Sequence, residues 1–407
     1  MPMPKVSVVI PTRRRAETLA FALQTVMGQS HSNLEIIVSN NGGDDATRRL
    51  VEGVDDPRLR CVEPGGEVSM TDNFEYGLAQ ATGEWLVLIG DDDGILPTGI
   101  ERGLKALRES GGEAVGSLSG LFVWPGNDNG PNASGTYLTV PTGRGWEWQD
   151  SDRMMKRILD RKQGFQEAPV TYTGGIVSSA LYRRIREIDG RFFHSQIPDV
   201  YSTFAILSVI DRYVFCREPL MIAGVSRHSH GNAGMQFKPN DFKELANIPF
   251  HPDLPLPKAG TFTFSFQALL YESYLQSAYL RRKPPLTGLA DEAKKIIAWA
   301  RYARHRSPAG PLVFEEVEDW ARNVSKDNGA TFAAWSGDAD RMLPIMARRD
   351  RLSKFLYLVT RHFVDKQDRP SLTDIAAACV EAEAIRLRRP SRIGNLAHYG
   401  WRRMRRS

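Results

Sequence analysis

The sequence predicts an α/β fold in which a doubly wound, mostly parallel sheet is followed by a helical C-terminal region. Two patterns carry that expectation. Over the first hundred residues, short apolar runs alternate with helical periodicity, and the runs are continuously hydrophobic, as strands buried on both faces are. From about residue 256 the strand signals fade, and helical stretches such as LADEAKKIIAWARYA (289–303) and SLTDIAAACVEAEAIRL (371–387) dominate.

Taken in order, KVSVVIP (5–11) is rich in β-branched residues and stops at Pro11, which suits a buried strand. A helix follows with Leu19, Leu23, Val26 and Met27 on one face, and Gly28 is placed to end it. LEIIVS (34–39) is the second strand, and the turn NNGGDD leads into a helix that Asp44 or Asp45 can cap. RLRCVE (58–63) is a weaker third strand, SMTDNFEYGLAQAT (69–82) is helical, and EWLVLIG (84–90) is the fourth strand. Thr98 and Glu101 make a T-x-x-E capping box for a helix running to about Arg108. AVGSLSGLFVW (114–124) reads as a strand and GRGWEWQD (143–150) as a loop. YTGGIVSSALY (172–182) reads as strand into helix, and IPDVYSTFAILSVI (197–210) has a polar start and a buried continuation. PLPKAG (255–260) is a plausible linker, which divides the chain into a sheet domain (1–255), a helical domain (256–385) and a basic tail (386–407).

At 407 residues, 42% hydrophobic and 25% charged, the chain has the composition of an ordinary soluble globular protein with room for two or three cores. Cys61, Cys216 and Cys379 are odd in number and irregularly spaced, so neither a disulfide framework nor a zinc cluster is encoded, and a reducing cytoplasm suits them. No apolar run approaches the ~18 residues needed to cross a bilayer. MPMPKVSVVIPT goes almost directly into a strand, unlike a signal peptide. The net charge of +5 is uneven: residues 386–407 hold eight arginines and no acid, so the rest carries −3. That tail, interleaved with Ile393, Leu396, Tyr399, Trp401 and Met404, suits either an anionic membrane surface or a solvated helix face. A nucleic-acid partner is disfavoured, because the basic residues gather in one tail without an aromatic-studded basic sheet.

The stretch GEWLVLIGDDDGILP (83–97) ends a buried strand in three consecutive carboxylates. Ligands of open α/β sheets bind beyond the carboxyl ends of strands, which is where Asp91, Asp92 and Asp93 emerge. Partly desolvated carboxylates side by side resist ionisation unless a cation relieves them. A hard dication with oxygen ligands, Mg2+ or Mn2+, does so and leaves open positions for a phosphate. A solvated acidic turn and a structural calcium site are the plainer readings.

From Val6 to about Val225 the chain resembles the family 2 glycosyltransferases, GT-A enzymes that use nucleotide-sugar donors. The matching stretches are SVVIPTRRR (7–15), EIIVSNNGGDD (35–45), DNFEYGLAQATGEWLVLIGDDDG (72–94) and GGIVSSALYRR, IDGRFF and PDVYSTFAI between 174 and 206. The resemblance implies that Pro11, Thr12 and Arg13 lie against the nucleotide base, and that Asn40, where the family usually has an aspartate, accepts from the ring N–H of a uracil. It implies Asp93 as metal ligand, with Asp91 or Asp92 reaching the ribose or a second metal position. Gly90 stands where the family's usual D-x-D-D begins. Asp72 and Asn73 would line the donor pocket, although Asp72 also suits a helix N-terminus.

Inverting glycosyl transfer needs a second acid, away from the metal, to take the acceptor proton. Asp199 follows the GG…DGRFF stretch at the interval where the family places that residue; Pro198 and Asp199 also suit a simple helix start. Glu167 and Asp189 are the alternatives. In GVSRHSHGNAG (224–234), Arg227 is a candidate for the diphosphate, while His228 and His230 are candidates for the diphosphate or the metal. Trp124, Trp146 and Trp148 are candidates for stacking on a sugar or for plain packing. The expected partners are a nucleotide-sugar donor, with a UDP-sugar first, and a saccharide or lipid-linked acceptor in surface polysaccharide or glycolipid synthesis. A sugar-phosphate nucleotidyltransferase and a non-catalytic sugar-nucleotide binder of the same fold are the rival readings.

Overall fold

The computed structural model describes residues 3–127, 135–195, 197–227, 266–304 and 310–388. The strands are β1 (Val6–Thr12), β2 (Leu34–Asn40), β3 (Leu59–Val62), β4 (Trp85–Leu88), β5 (Gly94–Ile95), β6 (Ala114–Ser117), β7 (Gly120–Val123), β8 (Tyr137–Pro141), β9 (Trp146–Asp150), β10 (Gly175–Ser178), β11 (Arg212–Cys216), β12 (Met221–Val225) and β13 (Arg361–Asp365). The helices are α1 (Ala16–Met27), α2 (Asp45–Glu52), α3 (Met70–Ala79), α4 (Gly99–Ser110), α5 (Ser151–Leu159), α6 (Ser179–Arg186), α7 (Pro198–Val209), α8 (Phe266–Gln276), α9 (Leu289–Ala303), α10 (Gly310–Asp327), α11 (Phe332–Thr360) and α12 (Ile375–Arg388).

β1 and β2 are buried at every position, as their unbroken apolar runs predict. They pair in parallel from Val6 opposite Leu34 to Thr12 opposite Asn40. The main sheet runs β3-β2-β1-β4-β10-β6-β11-β9. Its first four strands are parallel, and β10 runs antiparallel to both neighbours. Alternation along β1 sorts the layers: Val6, Val8 and Ile10 pack with Leu19, Leu23, Val51 and Ile100 of α1, α2 and α4, while Val9 packs with Phe74, Leu78, Met155 and Tyr201 of α3, α5 and α7. The parallel register brings the carboxyl ends of β1, β2 and β4 to one edge, and this edge carries the site. A mixed α/β core with a central sheet and a helical C-terminal portion is thus the architecture expected.

Four details differ from the sequence reading. AVGSLSGLFVW is two strands in two sheets, because the chain crosses at Leu118–Ser119, where the hydroxyls of Ser117 and Ser119 donate to the carbonyls of Gly174 and Thr173. GRGWEWQD contains β9, an edge strand antiparallel to β11. The Thr98–Glu101 box does not form: the Thr98 hydroxyl donates to Glu383 at 2.7 Å and Glu101 accepts from Ser30 at 2.6 Å, so tertiary partners replace the local ones. Finally, the helical region is interrupted. β13 pairs antiparallel with β8, extending a second sheet ordered β13-β8-β7-β12-β5, and α12 covers that sheet with Ile375, Ala378, Cys379, Ala382 and Ile385. The helical layer proper ends near residue 360, and residues 361–388 return to the sheets.

No helix among the described residues is long and apolar enough to cross a membrane. Of the basic tail, Arg386 is an inward-facing residue paired with Glu218 at 3.0 Å and Glu383 at 2.8 Å, whereas residues 389–407 lie outside the described residues.

Candidate active site

β4 ends at Leu88, and the chain turns at Gly90 to lay three buried aspartates across the sheet edge. Each has its own partners. Asp91 accepts from the Thr12 hydroxyl at 2.6 Å and faces the Arg15 guanidinium at 3.2 Å. Asp92 accepts from the Ser226 hydroxyl at 2.7 Å, and its main-chain carbonyl accepts from the Trp124 indole at 3.0 Å. Asp93 accepts from the amides of Gly90 at 2.8 Å and Gly224 at 2.7 Å, and from the Thr173 hydroxyl. Burial pushes the Asp91 carboxyl up to about 6, against the pull of Arg15. It pushes that of Asp93 up to about 7, with the Asp92 charge adding to the rise.

Tyr172 sits among these groups and was passed over in the sequence reading. Its ring stacks on Phe74 at 5.8 Å between centroids. Burial, then the charges of Asp93, Asp92, Asp199 and Asp91, push its hydroxyl well above the ordinary range, so it stays protonated and can donate. A Cβ added at Gly90 would lie 2.4 Å from that hydroxyl and 2.9 Å from Asp93 Oδ2. The glycine at the first place of the acidic motif therefore follows from the tyrosine: there is no room for a side chain. Gly90→Ala is expected to destabilise the fold by about 1–3 kcal/mol. Adding Tyr172→Ala should recover part of that loss, and a double-mutant cycle of chemical denaturation checks the coupling.

Asp199 lies in the first turn of α7, after Pro198 at the first helical position. The cap itself is Ile197, so capping is not what the Asp199 side chain does; it accepts from the Val200 amide at 2.9 Å. Burial pushes its carboxyl up to about 6, and helix-terminal amides restrain the rise. Ser202 ties this turn to the aspartate edge: its hydroxyl donates to the Asp199 carbonyl at 2.9 Å and accepts from the Thr171 amide at 3.2 Å. Thr171, Tyr172 and Thr173 are consecutive, so one short segment links the Asp199 helix to Asp93.

The other expected residues divide into two groups. Pro11 and Thr12 do end β1 beside Asp91, and Arg15, which the sequence reading did not single out, joins them. Arg13 turns to Glu67 at 3.2 Å. The Asn40 oxygen accepts from the Asp44 amide at 3.2 Å while its nitrogen donates to Glu63 at 3.0 Å, so the side chain holds the turn after β2. Asn73 is buried, and its oxygen accepts from Ser39 at 2.7 Å, which fastens α3 to β2. Asp72 pairs with Arg191. Glu167 faces Gln163 and the Gly164 amide beside a cleft of about 400 Å³ lined also by Trp148 and Arg157, and Asp189 pairs with His194 at 3.0 Å. Trp124 packs at 5.7 Å from Phe122 while holding Asp92; Trp148 lies under Arg212 at 4.1 Å and Trp146 donates to Glu109, so these two serve the β9 edge. Arg227 is exposed at the end of its described segment, and His228 and His230 lie outside the described residues.

A dication held by the three carboxylates alone does not match this geometry. Among the described residues no three His, Cys, Asp or Glu side chains converge, and Asp93 is turned to backbone amides. Asp91 pairs with Arg15 at 3.2 Å, and Asp92 adds to the negative field on the same guanidinium. Hard oxygens from two carboxylates suit Mg2+ or Mn2+ when a phosphate completes the shell.

The fold is a mixed α/β core whose central sheet carries an acidic turn at its strand ends. Residues 7–184 match the family model for glycosyl transferase family 2. The GalNAc(5)-diNAcBac-PP-undecaprenol beta-1,3-glucosyltransferase of Campylobacter jejuni is 35% identical over 97 residues, 23% of this chain and 31% of that protein. Succinoglycan biosynthesis protein ExoO of Rhizobium meliloti is 27% identical over 123 residues, 28% of this chain and 34% of that protein. The chain thus spans about a third of the length of each of these two curated relatives. Among solved structures, Staphylococcus aureus TarS 1–349 in complex with UDP-GlcNAc has 16% identity and a TM-score of 0.46, covering 85% of this chain and 92% of that one. The mannosyltransferase PcManGT of Pyrobaculum calidifontis, in complex with GDP-Man and Mn2+, has 16% identity and a TM-score of 0.42, covering 95% and 88%. Asp199 lies beyond the segment matched to the family.

Proposed function

We propose that this protein is an inverting glycosyltransferase that moves a sugar from a nucleoside diphosphate donor, with a UDP-sugar as first choice, to a hydroxyl of a saccharide or lipid-linked acceptor. The observation that carries the reading is that the short segment Thr171–Thr173 joins two kinds of acid: Thr173 holds Asp93 of the carboxylate turn, and Thr171 bonds to Ser202, which holds the Asp199 turn. A carboxylate that titrates at about 6 is ionised at neutral pH and basic enough to accept a proton in a transition state. In the proposed step the acceptor oxygen bonds to the anomeric carbon as the carbon–oxygen bond to the diphosphate breaks. Asp199 takes the acceptor proton, and the diphosphate leaves with the bonding electrons.

When bound, Mn2+ or Mg2+ would neutralise charge on the departing diphosphate, and Asp91 and Asp92 would hold it together with the donor phosphates. Arg15 already offsets part of the acidic field there, the Tyr172 hydroxyl lies beside Gly90 near Asp93, and the exposed Arg227 follows Ser226, which holds Asp92. Pro11, Thr12 and Arg13 flank the base, with Asn40 and Asn73 keeping the β2 edge rigid. The names of the two curated relatives, one acting on an undecaprenol-linked oligosaccharide and one in succinoglycan biosynthesis, support an acceptor in surface polysaccharide synthesis.

A thermal-shift series with UDP, GDP and CDP, each with and without Mn2+, tests the donor side. One base should raise the melting temperature in proportion to the logarithm of its concentration, more with Mn2+ than without. No shift from any of them removes the reading, and a shift without turnover of the matching sugar nucleotides turns it into a binding protein.

A further inference from the structure

α11 is 29 residues long, and residues 351–357 near its end are exposed. Met346 is buried, Asp350 accepts from Tyr302 at 2.9 Å, and the Tyr357 hydroxyl lies 3.0 Å from Thr139; these residues, four and seven apart, define the side that faces the protein. A different face carries Ile345, Leu352 and Leu356, seven and four apart, with Phe355 beside them. Their exposures are 53%, 56%, 48% and 53%, and every residue from 351 to 357 is exposed. Large apolar side chains clustered in water on one helix mark a surface that something covers.

The charges on the same turns say what. Arg348 and Arg351 flank the apolar residues, Arg349 donates to the Asp160 carbonyl at 3.4 Å, and Lys354 pairs with Asp350, the one acid on these turns, which also serves Tyr302. A second copy of the chain docked through this face about a twofold axis would set these cations against their equals. An anionic bilayer meets both features together: phospholipid head groups take the flanking arginines, and the acyl boundary takes leucine, isoleucine and phenylalanine. We propose that Ile345–Leu356 is a docking helix for an anionic membrane surface, and that it, more than the basic tail, holds the protein there. If the proposed function is right, docking also sets the site beside acceptors carried on lipid, so the inference rests on that reading only for this consequence.

Flotation of the full chain with vesicles of phosphatidylglycerol and phosphatidylcholine, against phosphatidylcholine alone, tests it. Binding is expected only with the anionic lipid and should weaken as salt is raised. Leu352→Glu/Phe355→Glu and, separately, Arg348→Glu/Arg351→Glu should each lower the vesicle partition coefficient by roughly tenfold or more. The melting temperature should not change, because these side chains are exposed. Hydrolysis of a sugar nucleotide in solution, with no vesicles, should be untouched by both pairs; its absence in the wild type as well would count against the transferase reading and not against docking. Wild-type partition in both variants, binding lost only on deletion of residues 389–407, a melting temperature lowered in both variants, or a dimer in sedimentation velocity that the Leu352/Phe355 pair dissolves would each overturn the proposal.

Discussion

Asp199→Asn is expected to lower kcat by about 10²- to 10⁴-fold while leaving nucleotide affinity in place, since the side chain is assigned to the acceptor proton and not to the donor. The wild-type pH–rate profile should rise through about pH 6, where burial has moved this carboxyl, and the residual activity of the variant should lack that limb. The same shift has a sign for stability. The carboxyl is harder to ionise in the folded protein than in the unfolded chain, so folding is most favourable with Asp199 protonated, loses stability as pH rises from about 4 to about 6, and is level above that. A displacement from 3.8 to about 6 corresponds to about 3 kcal/mol at neutral pH. Asparagine, which carries no charge, should therefore melt later than wild type at pH 7.5 and nearly together with it at pH 4. A variant that is inactive and less stable at pH 7.5 would mean that Asp199 is a structural residue.

Gly224→Ala should damage the site from the opposite strand. A Cβ there would fall 1.8 Å from the Asp92 carbonyl oxygen and 2.8 Å from the Trp124 indole nitrogen, so β12 and the aspartate turn cannot both keep their positions. Two hydrogen bonds depend on that closeness: the Gly224 amide to Asp93 and the Trp124 indole to Asp92. The expected cost is about 1–3 kcal/mol of stability. Nucleoside diphosphate affinity, followed by titration calorimetry, should fall more steeply than stability, because the displaced atoms belong to the turn that would meet the diphosphate. Full affinity in this variant would show that the turn is not where the donor binds.

How far the sequence reaches is plain from these two residues. The runs VSVVIPT and LEIIVSN are buried throughout, so their burial was legible from apolar content alone, and with it the edge where Asp91–Asp93 emerge. What each aspartate does was not legible, because the partners come from far along the chain: Asp93 is held by Gly224, 131 residues later, and Asp91 by Thr12, 79 residues earlier. Tyr172 went unnoticed for a related reason. Its importance depends on a side chain that Gly90 lacks, and an absence leaves no periodic or compositional trace. The T-x-x-E signal marked the start of α4 correctly but not its hydrogen bonds, since Thr98 meets Glu383 across 285 residues and that partner displaces the local one. Asn40 and Asn73, expected at the ligand, each hold the end of β2 through hydrogen bonds to Asp44 and Ser39, partners that short-range pattern does not reveal.

The antiparallel pairing of β8 with β13 ties Tyr137–Pro141 to Arg361–Asp365. At ordinary rates of translation the earlier strand emerges from the ribosome roughly 10 to 45 s before its mate is made. Through that interval the nascent chain offers a bare β8 flank, to which any other extended peptide can add. Early release, or a stop codon ahead of position 361, would leave that flank permanently open, and such products should be found with chaperones or in inclusion bodies rather than as a smaller working protein.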